Sequence, residues 1–157
     1  MSFEIRLSAN AVFRQVAFNS AEMQDLIALR YQILRKPLHL QFTPEQLAGE
    51  ADFCHFGFYI EGTLVACLML VPDGDDKMKM KQVAVADHMQ GQGIGKKMVT
   101  AAERFAYESG YRLIYCHARE TAVPFYRSLG YTEKGEQFTE VGIPHYYMEK
   151  ALTNAAN

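Results

Sequence analysis

Apolar and polar positions follow two periods along this chain, and the switches between them mark its elements. Val12 to Phe18 is apolar with polar interruptions and reads as a first strand. Asn19 and Ser20 can cap a helix, with Glu22 placed to complete a capping box from Asn19. Met23, Leu26, Ile27, Leu29, Ile33 and Leu34 then recur at roughly helical spacing until Pro37 stops the run. Thr43-Pro44-Glu45-Gln46 starts a second helix, with proline at its first position. From Phe56 the period shortens: Phe56 to Ile60, the pair Glu61-Gly62, and Thr63 to Val71 form a hairpin pattern. Pro72 to Asp76 is a polar turn and Met78 to Ala86 another strand. Ile94, Met98, Ala101, Ala102 and Phe105 mark one face of a third helix, ended by Gly110. Leu113 to His117 is a short strand and Thr121 to Leu129 a short helix closed by Gly130. Tyr131 to Lys134 and Tyr146 to Lys150 are the last strands.

This order predicts an α/β (mixed α+β) fold, a mixed sheet with helices packed on it. The step from Met78–Ala86 through a helix to Leu113–His117 is a crossover, which implies two parallel neighbouring strands. The length, with no linker or repeat, fits a single domain spanning 1–157. The net charge of −2 argues against a nucleic-acid surface. Cys54, Cys67 and Cys116 show no paired spacing, so neither a zinc ribbon nor a disulfide framework is suggested, and a reduced, cytoplasmic setting is the simplest expectation. No apolar run has the length of a signal peptide or membrane span.

The chemistry concentrates in Gln90-Gly91-Gln92-Gly93-Ile94-Gly95, a turn between a strand and a helix. The first N–H groups of a helix lack internal partners and lie at the positive end of its dipole. Glycines let backbone come close to a ligand, so the turn suits phosphate oxygens. Lys96 and Lys97 place positive charge in the first helical turn, against the dipole, which a bound anion would compensate. A Walker loop fits worse, because Gly91 and Gly95 are one residue too close and Lys97 replaces the hydroxyl. A Rossmann fingerprint fits worse too, since Lys96 occupies the last glycine position and no ribose-binding acid follows between Arg112 and Ala118.

Gln82-Val83-Ala84-Val85 followed by Gln90 to Lys96 resembles the acyl-CoA-binding motif of the GNAT superfamily of N-acyltransferases, whose core Q/R-x-x-G-x-G/A is matched by Gln90, Gly93 and Gly95. Phe125-Tyr126-Arg127-Ser128-Leu129-Gly130-Tyr131 resembles the family's second signature, and Gly142-Ile143-Pro144-His145 a C-terminal feature of some small members. The resemblance covers roughly Phe56 to Lys150. It implies a GNAT-like fold: a mostly antiparallel mixed sheet with splayed central parallel strands and helices on both faces. It implies acetyl-CoA as cosubstrate, with Val83, Ala84 and Val85 along the pantetheine arm, Gln92 to Lys97 at the pyrophosphate, and Phe125 and Tyr126 near the thioester. Tyr126 is the general-acid candidate. Arg119 stands where many members carry an asparagine that contacts the cofactor, so that role is not carried over.

The implied reaction is direct transfer of an acetyl group to a primary amine, carried by a small molecule or a peptide; the alternative is a catalytically silent acyl-CoA-binding module. His145 and Glu140 are candidate acceptor-side residues, with Glu136 in the same late loop; His117 and Asp87 are weaker candidates for the base, which stays open. Cys116 and His117 are adjacent on a strand and point to opposite faces, which disfavours a covalent thiol mechanism. His39, His55 and His88 lack metal-ligand spacing, and no metal is expected. Dimerisation is common among relatives, and nothing in the sequence demands it.

Overall fold

The computed structural model describes residues 2–154. The chain divides into two compact units that interleave in sequence, Met1–Leu70 with Gln82–Ala102, and Val71–Lys81 with Glu103–Asn157.

In the first unit β1 (Glu4–Arg6), β2 (Ala11–Val16), β3 (Cys54–Ile60) and β4 (Thr63–Asp73) pair antiparallel in that order. Phe13 and Phe56, both fully buried, stack with ring centroids 4.9 Å apart. β1 is absent from the expected elements, because three residues are too few to show a period; its register comes from pairing, Ile5 opposite Phe13.

α1 (Ala21–Arg30) is capped by Ser20, not by a box from Asn19: the Ser20 hydroxyl accepts the Met23 N–H at 3.3 Å. Met23 and Leu26 are buried against Val16, Cys67 and Ala84. Full burial of such side chains contributes about 1.5–3 kcal/mol each. The expected long helix instead gives way at Tyr31–Arg35 to a π-helical segment. Its wider turn changes the phase of the stripe, yet Ile33 and Leu34 still pack at the margin of that core. α2 (Pro44–Ala48) has a complete capping box between Thr43 and Gln46, at 3.1 and 2.9 Å. Arg30 and Glu50, both buried, join in a two-pronged ion pair of 2.8 and 2.7 Å.

In the second unit, Lys77–Met80 of β5 (Lys77–Val85) lie parallel to Leu113–Cys116 of β6 (Leu113–Arg119), the pairing that the crossover implied. β6 runs antiparallel to β9 (Ile143–Ala151), which also pairs with β7 (Thr132–Glu133) and β8 (Phe138–Glu140). The late segment expected as a loop thus contains β8, whose three residues carry too little pattern to announce a strand. Ile114, Cys116 and Ala118 form the buried row of β6, while Tyr115, His117 and Arg119 alternate to its other face. α3 (Ile94–Glu108) links β5 to β6, and α4 (Val123–Ser128) follows β6. Near the end of α3, Glu103 accepts from the buried Tyr131 hydroxyl and from Lys150 Nζ, both at 2.9 Å. The fold is α/β with a mixed sheet, as the order of elements requires.

Candidate active site

The glycine turn belongs to the first unit and is built from both ends. Gln90 is exposed, and its side-chain amide donates to the Val85 carbonyl at 3.0 Å and to Asp87 Oδ1 at 3.4 Å. Gln92 donates to the His88 carbonyl at 3.3 Å. Both glutamines therefore brace the turn, and one carbonyl lone pair of Val85 is already engaged. Gly91 and Gly93 have φ of 80° and 79°, the left-handed region that L side chains adopt only with strain. A Cβ built on either would meet nothing within 4 Å. The glycines thus answer a backbone requirement and leave open space above it. Ile94 is buried and anchors the first turn of α3, while Lys96 and Lys97 stay exposed. The first amides of α3 have no partner within the helix, and the first regular bond runs from Lys97 N–H to the Gly93 carbonyl at 3.2 Å. An exposed, glycine-lined helix start flanked by two lysines can hold phosphate groups. Val83 and Val85 lie half-buried on β5 just before it, with Ala84 turned into the core.

Tyr126 belongs to the second unit, near the end of α4. Its ring is packed edge-on by Phe125 at 5.0 Å and Tyr131 at 5.6 Å between centroids. Burial, with a smaller contribution from Cys116, raises its pKa far above that of a free phenol, so the hydroxyl is neutral and able to donate. Burial likewise pushes the Cys116 thiol up to about 12, an inert group rather than a nucleophile.

The same unit brings together three groups that the sequence separates. His117 on β6 lies with its Nδ1 3.0 Å from Glu140 Oε1. Glu140 Oε2 lies 3.8 Å from His145 Nε2, while His145 Nδ1 donates to the Ile143 carbonyl at 2.8 Å. His145 is 3% exposed, so it backs Glu140 from within the protein. Burial raises the Glu140 pKa, but the His117 hydrogen bond and the charges of His117, His145 and Lys79 outweigh it and hold the carboxyl below its ordinary value. The candidates Glu136 and Asp87 are exposed and stand outside this cluster. The pairing of His117 with Glu140 escaped sequence reasoning, because the two lie on separate strands that are brought together only through β9.

The chain matches the family described as Acetyltransferase (GNAT) domain over residues 27–152. It belongs to the GNAT acetyltransferase family. The uncharacterized N-acetyltransferase YitI of Bacillus subtilis strain 168 is 28% identical to this GNAT chain over 138 residues, covering 83% of this chain and 92% of its own. Among solved structures, an acyl-CoA N-acyltransferase from Pseudomonas aeruginosa has a TM-score of 0.76 at 20% identity, covering 88% of this chain and 98% of that one. A GNAT family acetyltransferase from Elizabethkingia anophelis with acetyl-CoA bound has a TM-score of 0.72 at 16% identity, covering 92% and 100%. At such identities the structural likeness shows a shared GNAT fold. Among the described residues of this GNAT protein, no group of three or more His, Cys, Asp or Glu side chains could hold a metal, and no helix is long and apolar enough to cross a membrane.

Proposed function

We propose that this protein is a cytoplasmic enzyme that transfers the acetyl group of acetyl-CoA to a primary amine by direct attack in a ternary complex. The observation that carries the reading is the braced turn: Gly91 and Gly93 at positive φ with open space above them, at the start of a helix whose first turn holds Lys96 and Lys97. Those features fit the pyrophosphate of CoA, which would receive the amides from Gln92 to Lys97. Backbone groups of Val83 and Val85 would meet the pantetheine amides in the manner of an added strand. Since the Val85 carbonyl already accepts from Gln90, the Val83 groups and the Val85 N–H are the better candidates.

Tyr126 is assigned to the sulfur on the family resemblance, and its burial refines the role. A free phenol is already a weaker acid than a thiol by about 1.5 pKa units, and burial widens the gap. Complete transfer of its proton to a thiolate is therefore uphill. Tyr126 instead donates a hydrogen bond that stabilises negative charge as the C–S bond breaks.

Thermal unfolding with and without acetyl-CoA tests the donor site, with NAD and ATP as controls. Saturation near 100 times the dissociation constant adds about 2.7 kcal/mol, and no shift refutes the donor assignment. Thioester consumption with spermidine, tyramine and a lysine amide then tests transfer. Binding without turnover on any primary amine would leave the silent-module reading in its place.

A further inference from the structure

A cavity opens on the first unit beside α1 and α2. It measures about 380 Å³ and is lined by Ile27, Ala28, Tyr31, Gln41, Phe42 and Leu47. That is near the small end of ligand pockets, which run roughly 300–1,000 Å³, so it suits a small molecule and not a peptide or a folded partner. Its walls are fixed from behind. Ile27 packs against the buried core that holds Met23, Leu26 and Ala84. The Arg30 guanidinium lies over the Phe42 ring at 4.6 Å, and Arg30 is locked in turn by its two-pronged bond to Glu50. Leu47 sits on α2, whose capping box is complete, and its N–H donates to the Thr43 carbonyl at 3.1 Å. The π-helical segment begins at Tyr31, whose carbonyl accepts from the Lys36 N–H. Such wide turns are rare and recur at functional sites.

The lining is apolar apart from the Tyr31 hydroxyl and the Gln41 amide, and neither group has a hydrogen-bond partner among the described residues. Charge beside the cavity is of one sign. A second guanidinium, that of Arg35, lies over Phe42 at 4.7 Å. No carboxylate lines the space, and both oxygens of the buried Glu50 are engaged by Arg30. The other charged side chains close by in the chain, Asp25, Lys36 and Glu45, are exposed and outside the lining. An ammonium entering here would meet a cation and no counter-charge. A carboxylate would meet a guanidinium, whose five N–H donors can serve more than one acceptor, and the N–H groups of Gln41.

We propose that this cavity binds a small carboxylate carried on an aromatic or branched alkyl body. The body fills the space between Ile27, Tyr31 and Leu47, where it replaces water against apolar walls. The carboxylate takes N–H groups of Arg35 and Gln41 beside Phe42. Arginine suits that role because its planar fork matches the two oxygens of a carboxylate. Two sources carry this chemistry: a free arylalkyl acid, and an amino acid with a large apolar side chain. Direct binding tells them apart, and no turnover is needed to observe it.

The test is an amide NMR titration of the full chain with hydrocinnamate, L-phenylalanine and phenethylamine, three ligands that share one ring and differ in charged group. Hydrocinnamate should displace amide signals of residues 27–31 and 41–47 in a saturable manner. Phenethylamine should bind at least about tenfold more weakly, the loss of one charge-assisted bond. L-Phenylalanine separates the sources: an affinity equal to that of hydrocinnamate admits the amino acid, a much weaker one leaves the free acid, and binding of either carboxylate supports the site. Arg35→Gln should weaken hydrocinnamate by about 10- to 100-fold. Ala28→Leu places a larger side chain in the cavity from an exposed helical position that leucine tolerates, so it should weaken every ligand at least about tenfold while Tm stays close to wild type. No displacement in these two segments with either carboxylate overturns the site. Phenethylamine binding as tightly as hydrocinnamate overturns its charge preference, and unchanged hydrocinnamate affinity in either variant overturns its placement.

Discussion

Gly93 permits a clean separation of fold from function, because the structure supplies its own control. Gly93 has φ of 79° and Gly62, in the β3–β4 hairpin, has φ of 80°, and a Cβ on either would meet nothing within 4 Å. Alanine at each position therefore adds no clash with protein. It adds only the strain of a left-handed L residue, about 1–2 kcal/mol. For a chain of this size 1 kcal/mol shifts Tm by about 2–4 °C, so both variants should melt roughly 2–8 °C below wild type and close to one another. Binding should not follow stability. At Gly93 the methyl enters the space above the helix start, and a strained turn misaims the first amides of α3. Each charge-assisted hydrogen bond lost is worth about 1.5–3 kcal/mol, which corresponds to roughly 10- to 100-fold in affinity. Calorimetric titration with CoA should then show Gly93→Ala weakened by at least tenfold and Gly62→Ala unchanged. Equal CoA affinity in the two variants, at equal loss of Tm, would refute the assignment of the turn.

Three further outcomes follow from buried groups. Glu50→Ala leaves the Arg30 guanidinium, 2% exposed, without its partner, and should cost about 3–5 kcal/mol in urea unfolding; a cost below about 1 kcal/mol would show that water reaches the arginine. Tyr126→Phe should slow turnover about 10- to 100-fold, the worth of one charge-assisted bond, with CoA affinity unchanged; equal turnover would remove the tyrosine from the chemistry. Burial raises the Cys67 and Cys116 thiols to about 12. A raised folded-state pKa gives stability that is complete below the unfolded thiol value, near ~8.5, and is lost as pH climbs toward the folded one. The slope is up to about 1.4 kcal/mol per pH unit for each thiol. Urea unfolding at pH 8, 9 and 10 should therefore fall less steeply in Cys67→Ala than in the parent, and parallel slopes would contradict the assignment.

The parts of this protein legible in its sequence are those decided by neighbours in the chain. Thr43 and Gln46 are three residues apart, so their capping box follows from composition and spacing alone. The alternation of β6 likewise follows from the pleat of a strand, and the parallel pairing of β5 with β6 from the handed crossover through α3. The glycines of the turn announce positive φ because no other residue takes it without strain. Asn19 shows the limit of this locality: Asn19 and Ser20 are both good caps, and the choice of Ser20 depends on where the entering strand leaves the chain.

What only the tertiary structure decided are the partnerships across long stretches of chain. Glu50 is buried because Arg30 waits there, and neither residue alone signals burial of a charge. The π-helical segment at Tyr31–Arg35 carries no turn signal of its own; packing sets its phase. β1 and β8 are each three residues long and exist because a longer strand offers them a ladder. His117 and Glu140 lie 23 positions apart, on two strands that both reach β9. A period in the sequence can tell which face each side chain takes. Only the pairing of strands can tell that a carboxylate stands 3.0 Å from an imidazole.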